Sequence, residues 1–126
     1  MKKYFFFLLG FFVFAEVNNC AAQTDPFVDS LKKVLATIGQ DTNRLKLLDL
    51  LGDNAPDGEW QKFSEEMGKL ADKLSKNPNA AIAKVGKKHQ AIYMNNLAFI
   101  AAEKGDYKSC LGYFDKALKI QRELGD

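Results

Sequence analysis

Residues 91–124, AIYMNNLAFIAAEKGDYKSCLGYFDKALKIQREL, decide the fold. Before Gly105-Asp106, Ile92, Tyr93, Leu97 and Ile100 recur at helical spacing. After it, Tyr107, Cys110, Leu111, Phe114, Ala117, Leu118 and Leu124 line one side, against Lys108, Asp115, Lys116 and Lys119. Apolar residues three and four apart form one face of a helix. A break of only two residues between two such helices forces them adjacent and antiparallel. The stretch predicts a helical hairpin.

Upstream, every segment after residue 25 keeps the same period, so the expected class is all-α. Asp25-Pro26 is an N-cap followed by proline at the first helical position. It opens a helix carrying Phe27, Leu31, Val34, Leu35 and Ile38, which is expected to stop at Gly39. A second helix starts near Asp41 or Thr42 and carries Leu45, Leu47, Leu48, Leu50 and Leu51 to Gly52. Its apolar residues wrap widely, so it is expected to be covered on more than one side. After the turn 53–58, Trp60, Phe63, Met67, Leu70, Ala71 and Leu74 make a third stripe that fades at Lys76. Asn77-Pro78 reads as cap then proline for a fourth helix reaching about Lys104. Gly86 inside it costs about 1 kcal/mol relative to alanine and marks a place for a bend or break.

The first 22 residues differ from the rest. Lys2-Lys3 precede an apolar run from Tyr4 to Ala15. At ~1.5 Å per residue it spans about 18 Å, short of a ~30 Å hydrocarbon core. The basic start, short apolar run and small-residue exit at Cys20-Ala21-Ala22 describe a secretory signal peptide cleaved after Ala22. Lipidation of Cys20 is the rival exit, although Val17-Asn18-Asn19 lack the small residue expected just before a lipoprotein cysteine. Either way the chain is expected to be exported, to a periplasm or outer surface. With acids and bases interleaved to a net charge of +2, there is no electrostatic footprint for nucleic acid and no polybasic membrane patch.

The stretch 91–124 resembles one tetratricopeptide repeat, a 34-residue helix–turn–helix unit. Met94, Leu97 and Ala98 stand where that family has a large residue followed by leucine and a small residue. Gly105-Asp106-Tyr107 matches its turn, and Cys110, Phe114 and Ala117 match the small, aromatic and alanine positions of its second helix. Ala101 and Arg122 depart from the family's frequent aromatic and proline. The resemblance implies that Ala98, Cys110 and Ala117 let the helix backbones approach while Leu97, Tyr107 and Phe114 fill the space between. With residues 41–90 read as diverged helices of the same kind and 23–40 as an N-terminal helix, it implies antiparallel hairpins stacked as a short right-handed solenoid after the signal helix.

The signal peptide, the stretches 41–48 and 55–60 and the closing Glu123-Leu124-Gly125-Asp126 resemble, more narrowly, the exported sensor region of Bacteroidetes-type signalling proteins. There such repeats precede a membrane helix and a histidine kinase, cyclase or DNA-binding output. That resemblance implies a non-catalytic protein–protein interaction scaffold belonging to a longer chain. An alternative is the front end of a kinase or cyclase whose catalytic domain lies beyond residue 126. Another is a homodimer formed through the uncovered face of the last helix. By resemblance the partner groove is lined by Ile92, Asn95, Asn96, Phe99 and Glu103, where amide side chains both donate to and accept from a ligand backbone.

The residues argue for no chemistry of their own. His89 lacks Cys, His or carboxylate companions at metal-ligand spacing, and Lys87-Lys88 beside it predict a solvated surface position. Ser64, Ser75 and Ser109 have no histidine base within motif distance. No metal, cofactor or catalytic residue is expected. Trp60 is expected in the core, and Cys110, on an apolar helical face, as a small packed side chain.

Overall fold

Capping chemistry sets where the helices begin. The structure, a computed structural model, describes residues 24–125. The apolar start, Cys20 and the cleavage expected after Ala22 lie outside the described residues. Five helices follow: α1 (Pro26–Leu35), α2 (Thr42–Asn54), α3 (Trp60–Ser75), α4 (Ala80–Glu103) and α5 (Tyr107–Leu124). The Asp25 carboxylate accepts from the Phe27 amide, and that of Asp41 from the Asn43 and Arg44 amides. α4 is capped by Asn79, two residues beyond the expected Asn77. Asn77 instead accepts from the Asn79 amide at 2.9 Å, and Asn79 then accepts from Ala81 and Ile82.

Two helix ends differ from expectation. α1 stops at Leu35 rather than Gly39. Thr37 folds back on the Val34 carbonyl through both its amide and its hydroxyl, a local bond that competes with the helix. Arg44 donates to the carbonyls of Leu35 (2.8 Å) and Ile38 (3.3 Å), which a longer helix would otherwise have to satisfy. α2 runs past Gly52 to Asn54, whose side chain donates to the Leu50 carbonyl.

The helices pack antiparallel against their sequence neighbours, and α2 also meets α4. α2 is thus covered by α1, α3 and α4. Val28 and Leu35 of α1, Leu45, Leu48 and Leu51 of α2, and Met67, Leu70, Ala71 and Leu74 of α3 form the larger core. Ile82, Val85, Ile92 and Tyr93 of α4 pack against it. Each fully buried leucine contributes about 1.5–3 kcal/mol. Arg44 also binds Glu66 of α3 through Nε and Nη2 at 2.9 and 2.6 Å, so one guanidinium joins α1, α2 and α3.

The α3–α4 seam runs in opposite senses along the two helices. Trp60 meets Phe99 with ring centroids 6.1 Å apart. The Asn96 amide donates to the Ser64 hydroxyl at 2.8 Å and the Gln90 amide to Asp72 at 3.3 Å. The Tyr93 ring lies against Gly68. At the far end α4 rests Gly86 on the α3 backbone, where a Cβ would sit 2.7 Å from the Leu74 carbonyl carbon. α4 is continuous through Gly86; the glycine serves a close helix approach and not a break.

The α4–α5 turn is a Schellman motif. The Gly105 amide donates to the Ala102 carbonyl and the Asp106 amide to that of Ala101, with Gly105 in the left-handed region at φ 74°, where glycine carries no Cβ penalty. Asp106 then caps α5 by accepting from the Ser109 amide. Ala98, Ala101 and Cys110 form the second core, and Ala117 is buried further along α5. Tyr107 and Phe114, expected to fill the space between these helices, are instead 69% and 48% exposed. With alanine and cysteine at the contact, the helices close on small residues and leave those rings outside.

Candidate functional site

His89 is not the solvated residue expected from its lysine neighbours. It is 5% exposed, because it lies on the inward side of α4 while Lys88 points out. Its Nδ1 lies 2.9 Å from the Val85 carbonyl. A carbonyl only accepts, so Nδ1 carries a proton. Nearby Asp49 of α2 sits where burial raises its carboxyl above the usual value of 3.8; Asp53 adds to the rise, while His89 and Lys88 oppose it. Among the described residues no three His, Cys, Asp or Glu side chains gather as a metal ligand set. Ser64 is 2% exposed and bonded to Asn96. Cys110 is a free, buried thiol.

The five groove candidates on α4 separate. Ile92 packs against the larger core. Asn96 is committed to Ser64, so its amide is part of the α3–α4 seam and not an open ligand contact. Asn95 is half-buried, Glu103 is exposed, and Phe99 is 54% exposed beside half-buried Trp60. The accessible part of the predicted site is therefore Asn95, Phe99 and Glu103, to which the structure adds Trp60, expected to be core. The sequence signal for this placement is the spacing of Trp60, Ser64 and Gly68 along the α3 edge that faces α4.

Of the signature positions, Ala98, Cys110 and Ala117 are buried, Met94 and Leu97 are half-buried, and Gly105 makes the turn. Recesses lie beside the described helices. One of about 300 Å³ between α1 and α2 is lined by Val34, Ile38, Asn43, Lys46, Leu47 and Leu50. Another of about 230 Å³ beside the α4–α5 turn is lined by Leu97, Ile100, Lys104, Asp106, Ser109 and Tyr113.

On α5, Tyr107, Leu111, Phe114 and Leu118 form an exposed apolar row, and α5 packs on α4 alone among the described helices. No described helix is long and apolar enough to cross a membrane. Comparison with family models, curated proteins and solved structures finds no match.

Proposed function

We propose that this chain is a protein–protein interaction scaffold of the tetratricopeptide type, acting by capture and not by bond making. The observation that carries this reading is the position of α4, packed between α3 and α5 and touching α2. Successive hairpins stacked as a right-handed solenoid would give the same neighbours, because each repeat buries the face of the one before. Closure of α4 on α5 over Ala98, Cys110 and Ala117 fits the small-residue positions of that repeat, whereas the small residue at Ala101 stands where the family often has an aromatic. The binding surface in this reading is the accessible side of α4 with the start of α3 beside it: Phe99 and Trp60 as an aromatic anchor, and Asn95 and Glu103 as polar contacts.

The signal-peptide pattern supports a location outside the cytoplasm for this scaffold, and the narrower resemblance supports a role as the sensing or assembly part of a signalling protein. A kinase or cyclase output beyond residue 126 is the alternative for the whole protein. Both concern the gene more than these helices, and the full open reading frame decides between them.

Panning a library of extended and helical peptides against the purified chain tests the scaffold itself. The reading expects peptides whose binding weakens at least tenfold in Phe99→Ala and falls in Asn95→Ala, with helical circular dichroism unchanged. Failure to select any peptide, or binding indifferent to both substitutions, would remove it.

A further inference from the structure

Tyr107, Leu111, Phe114 and Leu118 are 69%, 66%, 48% and 43% exposed, and they are separated by four, three and four residues. Alternating steps of four and three keep a row on one seam of a helix, the spacing by which two helices interlock. The row lies beside the small-residue face that α4 covers. Its other border carries Lys108, Asp115 and Arg122.

We infer that this seam receives the α5 seam of a second copy of the chain, antiparallel, in a weak two-fold dimer. Charge selects the register. In an antiparallel pair the apolar layers match Tyr107 with Leu118 of the second copy and Leu111 with Phe114 of the second copy. The bordering residues one position on then bring Lys108 beside Asp115 of the second copy, and Asp115 beside Lys108 of the second copy. A two-fold axis repeats the arrangement, so two opposite-charge pairs form. In a parallel pair, the same border would instead face the flank holding Cys110 and Ala117, which is buried against α4 and carries no charge. Only the antiparallel arrangement meets the charges.

Area sets the strength. At about 200 Å² for each large side chain, the exposed fractions amount to roughly 450 Å² of apolar surface per copy. A pair then buries about 900 Å², below the ~1,200 Å² at which standard stable interfaces begin. The dimer is reversible and concentration-dependent.

Sedimentation velocity from about 10 μM to about 1 mM tests this. The expected result is a monomer at the low end moving to dimer at the high end, with Leu111→Glu weakening association at least tenfold. Charge variants supply the specific readout. Lys108→Glu and Asp115→Lys each weaken self-association several-fold, since each sets like charges together. Mixing the two variants restores it, as every pair across that heterodimer is again of opposite sign. A monomer throughout, a dimer unmoved by Leu111→Glu, or a mixture no stronger than its components overturns the inference. No α4 residue of the proposed binding surface takes part, so either reading can fail while the other stands.

Discussion

Gly86 and Gly112 both stand inside helices, yet a methyl group added to each meets opposite surroundings. At Gly86 a Cβ would run into the backbone of Leu74 and Ser75, whereas at Gly112 nothing lies within 4 Å. Gly86→Ala forces α3 and α4 apart, and overpacking of this kind costs about 1–3 kcal/mol, which outweighs a propensity gain of about 1 kcal/mol. Gly112→Ala keeps the gain and stabilises by about 0.5–1 kcal/mol. Urea unfolding of the two variants is expected to move in opposite directions; movement in the same direction would contradict the seam. Phe114 gives a second contrast. A fully buried phenylalanine loses about 3–5 kcal/mol on truncation, but this ring is half exposed, so Phe114→Ala in the monomer is expected to cost about 1 kcal/mol or less. A loss near the buried value would place the ring inside the hairpin.

Between elements, the guanidinium of Arg44 closes the end of α1 and holds α3 through Glu66. A lysine keeps the charge but lacks the planar fork. Arg44→Lys is therefore expected to lower stability by about 1–3 kcal/mol, read as a lower thermal midpoint with little change in helical content. An unchanged midpoint would mean that the fork is dispensable. Asp49 tests burial on α2 by another route. Its carboxyl holds a proton more tightly in the folded chain than in the unfolded one. Ionisation therefore opposes folding: the penalty is absent below the ordinary carboxyl range and full above the raised value. Asp49→Asn removes it, so the variant is expected to melt higher than the parent at about pH 7, with the difference shrinking toward about pH 4. A gain that grows on acidification would reverse the sign and contradict the burial.

At the scale of the whole molecule, much of the architecture was legible because helices announce their ends. Asp25, Asp41 and Gly105-Asp106 mark caps and a turn whose chemistry is local. Neighbour choice was less legible. Periodicity says which residues share a face but not which helix covers it: Cys110 packs as expected, yet the α5 pattern does not reveal that Leu111 and Phe114 stand out beside it. The same gap hid His89, where charged neighbours argue for solvent although the residue points inward. Of the residues named for the candidate site, the helix that carries them was readable, but the commitment of Asn96 to Ser64 was not, since it joins residues 32 apart in the chain.

The account turns on α4 as one unbroken helix shared by both cores. Amide hydrogen exchange along the chain reads this directly, because protection follows burial and cooperative opening. The slowest amides are expected in α4, continuously from about Val85 to Ala101 on both sides of Gly86, with α5 exchanging faster. Fast exchange centred on Gly86, or an α4 no better protected than α5, would contradict it.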